Sequence, residues 1–235
     1  MTGKSLHFKY APPLKGARKS KRVLPTPPYR NAPLYKHSVF YYWWEYLRRH
    51  KGYEKTCKAG GKGVYKSLFS DFGNVHEHDD FRLWWDSHAH LFSEPQSRKI
   101  EYLEDCPTLR KGSINVSVPL EVSTGYLVKL FKEVLREHKE EAKTARNRSL
   151  ARYAVATKPV LSSLHQHLVV WDIKQNHPSL KHYEIAELAG IRIYNDRNKI
   201  EVRKKISVTI SRHLRIANQY IENVVSGEFP KRDRR

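Results

Sequence analysis

The chain is poor in the residues that define several protein classes. It has 235 residues, with two cysteines, Cys57 and Cys106, and one methionine. Two thiols make no disulfide framework, which fits a reducing, cytoplasmic setting. No apolar run approaches the roughly 20 residues that span a bilayer, so no membrane partner is expected. Met1 to Tyr10 lacks the apolar centre of a secretory signal. There is no Cys-x-x-Cys, no His-Glu-x-x-His, no phosphate-binding lysine loop and no dinucleotide glycine pattern. Asp71-Phe-Gly73 copies three letters of the kinase magnesium motif without its companions. The histidine groups His76-Glu-His78 and His88-Ala-His90 do not have the spacing of a structural zinc site. The reading is therefore of no enzyme, no catalytic residue, no metal and no cofactor. Acidic residues are scarce as well: 24 Asp+Glu stand against 44 Lys+Arg, a formal net charge of +20. Such an excess calls for an anionic partner, and nucleic acid is the commonest.

The excess is uneven. Residues 1–36 hold no Asp or Glu, and they carry Lys15, Arg18, Lys19, Lys21 and Arg22 among their cations. Pro12, Pro13, Pro25, Pro27, Pro28 and Pro33 remove backbone donors and fix φ, so neither helix nor central strand is expected. This segment reads as a disordered basic arm that lies along phosphates.

Aromatic residues are abundant where the arm ends. Ser38 is a plausible cap for a helix, in which Phe40, Trp43, Trp44 and Leu47 fall at i, i+3, i+4, i+7. Tyr53 and Cys57 suit a second short helix, with a further turn or two at Val64 to Phe69. Asp79 or Asp80 begins another helix, with Phe81, Trp84, Trp85, His88 and Phe92 on one face. The two rings of a Trp-Trp pair cannot point the same way on a helix; core packing of a small helical domain is the stronger reading, and a flanking ring exposed to stack on unpaired bases is the alternative. Ile114 to Leu120 alternates as a strand does. Thr124 opens an amphipathic helix of about 20 residues with Leu127, Leu130, Phe131 and Val134 in its stripe. Leu161, Leu164, Leu168, Trp171 and His165 mark the inner face of the next helix, which His177-Pro178 ends.

The end of the chain is the most telling. Tyr183-Glu-Ile-Ala-Glu-Leu-Ala-Gly190 reads as a short helix, followed by a turn at Tyr194 to Asn198. A long amphipathic segment runs from Glu201 to Val225. Its apolar positions are Val202, Ile206, Ile210, Leu214, Ala217, Ile221 and Val225. Between them lie Arg203, Lys204, Lys205, Ser207, Thr209, Ser211, Arg212 and Arg215. A short helix, a turn and a basic helix is the pattern of a helix-turn-helix, whose second helix enters the major groove with its N-terminal residues on base edges. Arg203, Lys204, Ser207, Thr209 and Ser211 are the expected base readers. Lys205, Arg212 and Arg215 are the expected phosphate contacts.

Several blocks resemble a group of proteins of bacterial integrative elements and prophages that has no established activity. They are Tyr42-Trp-Trp-Glu-Tyr-Leu-Arg-Arg49, Asp71-Phe-Gly-Asn-Val75, Phe81-x-x-Trp-Trp85, Leu91-Phe-x-Glu-Pro95, Val118-Pro-Leu120, Phe131-Lys-Glu-Val-Leu-Arg-Glu-His138, Ile210-Ser-Arg-His-Leu-Arg-x-Ala217 and Asn223-Val-Val-Ser-Gly-Glu-Phe-Pro230. The resemblance covers residues 38–230. It implies a mobile-element setting in a bacterial cytoplasm, at the nucleoid if DNA is the partner, and nothing about catalysis.

The expected protein is mainly α, with at most a small strand element. Its parts are a basic arm (1–36), an aromatic helical module (37–112), a strand–helix connector (113–157), a helix-turn-helix-like domain (158–230) and a basic tail (231–235). The expected function is duplex DNA binding, as a regulator or maintenance factor. RNA or single-strand binding through the Trp-rich helices is the alternative, as is an adaptor role in an element-encoded complex. A second copy of the chain and a protein partner remain open as partners.

Overall fold

Ser38 sets where the first long helix begins. Its Oγ accepts from the Phe40 N–H at 3.3 Å and donates to the Ala11 carbonyl at 2.9 Å. A hydroxyl cap of this kind satisfies a donor that the helix end leaves unpaired. In this computed structural model, residues 6–13, 28–94, 114–139, 149, 151–191 and 199–232 are described. Their helices are α1 (Val39–Arg48), α2 (Lys51–Lys58), α3 (Lys66–Phe72), α4 (Phe81–His88), α5 (Thr124–Glu137), α6 (Leu161–Asn176), α7 (His182–Leu188) and α8 (Lys199–Asn223). The protein is mainly helical, as its sequence leads one to expect. Among the described residues there is no strand, only two isolated bridges, His7 with Glu94 and Val155 with Phe229. The strand expected over Ile114 to Leu120 does not form. Residues 114–120 carry no strand assignment and take part in neither isolated bridge, and alternation alone does not make a ladder.

The chain divides into two compact units, Met1–Lys9 with Ser93–Arg152, and Tyr10–Phe92 with Tyr153–Arg235. The first contains α5. None of its residues is buried, and Tyr126, Val128, Leu130, Phe131 and Leu135 are exposed. The second contains the other helices of the described residues and the aromatic core. The sequence suggests separate modules for residues 37–112 and 158–230, yet α1, α6 and α8 share one core. Tyr46 donates its hydroxyl to the Leu164 carbonyl at 3.0 Å. Arg49 forks onto Asp172 at 2.7 and 2.6 Å and also bonds Glu45. Phe229 packs its ring 5.6 Å from Trp43 and 5.2 Å from Tyr46.

α1 is the axis of this unit. Val39, Phe40, Tyr41, Tyr42, Trp43, Trp44, Tyr46 and Leu47 are all buried. Within the helix only Glu45 and Arg48 are less than fully buried, and α2, α6 and α8 pack around it. Of the two readings of the Trp-Trp pairs, core packing is the one observed, and no indole of either pair is left exposed at the flank. Trp43, Trp44, Trp84 and Trp85 are 0, 1, 5 and 5% exposed. α1 has neighbours on every side, and Trp84 turns its Nε1–H onto the Phe72 carbonyl at 2.8 Å. Asp71-Phe-Gly73 serves this packing too. The Phe72 ring lies 4.5 Å from Tyr153, whose hydroxyl donates to Asp71.

Candidate nucleic-acid interface

The residues expected to meet nucleic acid lie on α8, which packs with α6 and α7. Val170, Ile185, Ala186 and Ile210 form the buried centre between them, with Ile173, Leu180, Ala189, Ile191, Ile206 and Leu214 packed at the edge. Ala186 is small and fully covered, so α7 sits close against its neighbours. α7 starts where the Glu184 carboxylate accepts the Lys181 N–H at 2.7 Å. It ends at Gly190, whose φ of 65° is costly for a residue with a Cβ. The Ile191 N–H then bonds the Ala186 carbonyl at 2.8 Å, closing the helix in a Schellman turn. Residues 192–198, where the sequence places the turn, lie outside the described residues.

The inner face of α6 differs from expectation. His167 is buried, while His165 and Trp171 are half-buried. His167 Nδ1 lies 2.7 Å from His213 Nδ1 of α8. Burial pushes His167 down to about 3, helped by His213, Arg232 and Arg212. His213 is lowered by the same causes, burial first and Arg212 second. Burial thus favours the neutral form of both rings. The Trp171 Nε1–H donates to Asn218 Oδ1 at 2.8 Å, a second polar tie between α6 and α8.

α8 buries Ile210, Ile216, Ala217, Tyr220 and Ile221 on one side and exposes a cationic side. Lys204, Lys205, Ser211, Arg212 and Arg215 are all exposed and share this outer face. Lys205 lies 4.0 Å from Glu201 one turn away, an exposed pair of small energy. The other three expected residues are placed differently. The Arg203 guanidinium sits over the Tyr183 ring of α7, 5.4 Å from its centre. Ser207 Oγ is 2.8 Å from His182 Nδ1. Thr209 turns its hydroxyl back onto the Lys205 carbonyl at 2.9 Å. Both hydroxyls are thus engaged within the protein. Sequence reasoning missed Val208, which is 70% exposed in the middle of the cationic face. Its signal was an apolar residue out of step with the Ile206, Ile210, Leu214 stripe. His182 and Tyr183 were also missed, and only the fold brings them to α8.

Lys15, Arg18, Lys19, Lys21 and Arg22 of the arm lie outside the described residues. In the tail, Lys231 pairs with Glu228 at 2.9 Å and Arg232 is exposed. The four buried indoles of the Trp-Trp pairs are not placed to stack on bases. Arg48 covers Trp44 at 4.5 Å and pairs with Asp79 at 2.7 Å. Among the described residues, no group of three or more His, Cys, Asp or Glu could hold a metal ion. A recess of about 130 Å³ beside Gly73, Trp84 and His88 falls well below the ~300 Å³ of ordinary small-molecule sites. No described helix is long and apolar enough to cross a membrane. No known protein family, curated protein or solved structure matches the chain.

Proposed function

We propose that this protein binds nucleic acid, duplex DNA in preference to RNA, through the outer face of α8. One observation carries the reading: Lys204, Lys205, Arg212 and Arg215 project from one side of a helix whose other side is fixed by a buried core. Four cations held in register on a rigid element suit the regular spacing of duplex phosphates. The short α7 ahead of the long α8 is the order of a helix-turn-helix, which supports the duplex over single strands. Burial of the paired indoles removes the main support for single-strand binding through the Trp-rich helices. The arm and tail add phosphate contacts. The resemblance to proteins of integrative elements and prophages supports a role in regulating or maintaining a mobile element in a bacterial cytoplasm.

A mobility shift of the full chain tests this. Random duplex DNA, single-stranded DNA and structured RNA are compared at 50 and 200 mM salt. Tight binding to the duplex is expected, falling by about 10³-fold between the two salt concentrations if six or more phosphates are contacted. Replacing Lys204, Lys205, Arg212 and Arg215 together by alanine is expected to remove about 10²-fold of that loss, by the same counterion relation. Binding that ignores the quadruple change, or that favours RNA, overturns the proposal.

A further inference from the structure

The cations of α8 fall into two groups. Lys204 and Lys205 lie near its start, and Arg212 and Arg215 lie about two turns further on. At about 1.5 Å of rise per residue the centres of the two groups are ~13 Å apart along the axis. The major groove of B-DNA is about 12 Å wide. Val208 and Ser211 are the exposed residues between the groups, on the same outer face. At 3.6 residues per turn, Arg203 points about 140° away from Val208, over Tyr183. Ser207 and Thr209 each point about 100° away, and each is already bonded within the protein.

Resting on the proposal above, we propose that α8 bridges the major groove, with Lys204 and Lys205 on one strand's phosphates and Arg212 and Arg215 on the other's, and that Val208 and Ser211 are the residues that read bases. Val208 meets the thymine 5-methyl group, an apolar contact that no other base offers in that groove. Ser211 serves as donor or acceptor to a neighbouring base edge. This moves sequence reading away from Arg203, Ser207 and Thr209. Arg203 remains a stacking partner of Tyr183, and Ser207 ties α8 to α7.

The test is site selection from a random duplex library with the full chain, followed by affinity measurements on the selected duplex. Uracil in place of thymine removes only the methyl group. Wild-type protein is expected to enrich a thymine-containing site and to bind the uracil duplex about fourfold more weakly per methyl lost. Val208→Ala should show a smaller difference between the two duplexes than wild type, since its shorter side chain withdraws from the methyl group, and Ser211→Ala should lose preference at a neighbouring position. Arg203→Ala should select the wild-type sequence. Phosphate ethylation should interfere on both strands, and Lys204→Ala with Lys205→Ala should relieve it on one of them. The inference is overturned if wild-type protein binds duplexes without preference, or if Val208→Ala keeps the thymine effect undiminished. It is equally overturned if Arg203→Ala shifts the selected sequence, or if interference falls on one strand only. In each of those cases duplex binding persists and the broader proposal stands. Absence of duplex binding overturns both.

Discussion

α1 and α8 are both amphipathic in sequence, yet the fold uses them in opposite ways. α1 is enclosed on every side and turns its polar atoms inward, as when the Tyr46 hydroxyl bonds Leu164 and Arg49 bonds Asp172. α8 is enclosed on one side and presents cations on the other. Charge on the first helix is consumed in holding the protein together, while Lys204, Lys205, Arg212 and Arg215 of the second are exposed on its outer face. Net charge alone therefore says little about where a basic protein meets its partner. What matters is which cations have already been claimed by the fold. Arg48, Arg49 and Arg203 have been claimed, by Asp79 and Trp44, by Asp172 and Glu45, and by Tyr183.

The contrast can be broken most severely at Trp43. Trp43→Ala removes a fully buried indole in contact with Phe72, Phe92, Tyr153 and Phe229. A loss of about 3–5 kcal/mol is expected in urea unfolding, enough to unfold much of a marginal protein. Acid comes next. The folded value of His167 is about 3, below its unfolded value near 6.5. The unfolded chain therefore binds the extra proton first, and stability is full above pH 6.5. It falls as pH drops from there toward 3, by about 2 kcal/mol at pH 5 from this residue alone. Unfolding at pH 7.5 and pH 5 measures this, and His167→Gln should reduce the difference, leaving the part from His50, His76, His88, His165 and His213, which burial also lowers. Ser38→Ala should cost about 1 kcal/mol through the lost cap, seen as a shift in the urea midpoint. The smallest effect on stability sharpens the comparison. Alanine at Lys204, Lys205, Arg212 and Arg215 should leave stability within about 0.5 kcal/mol per site while DNA affinity collapses. Calorimetry on the variant checks the first half of that statement, and a mobility shift checks the second.

Much of this architecture is legible in the sequence because helix periodicity is a local signal. The starts of α1 and α4 follow from Ser38 and Asp80, which cap them. Gly190 marks the end of α7, and the stripe through Ile206, Ile210 and Leu214 gives the inner side of α8. Long-range partners leave no such trace. The rings that surround α1 come from residues as distant as Tyr153 and Phe229, so the pattern shows one apolar face where the fold covers them all. The outer face of α8 was half legible. Cations project outward wherever they fall on the polar side, which identified Lys204, Lys205, Arg212 and Arg215. A hydroxyl is different, since its availability depends on what stands next to it. Ser207 is engaged because His182 of α7 packs there, and no spacing rule announces that contact.

The position of Phe229 has a consequence for synthesis. Its ring completes the packing around Trp43 and Tyr46, and its carbonyl accepts the Ala156 N–H at 2.9 Å. α1 is made well before Phe229 and cannot finish burying its aromatic side until residue 229 has followed. At about 5–20 residues per second that leaves ten seconds or more with a row of indoles and phenols uncovered. A nascent chain of this kind is a natural client for a chaperone that holds aromatic surface.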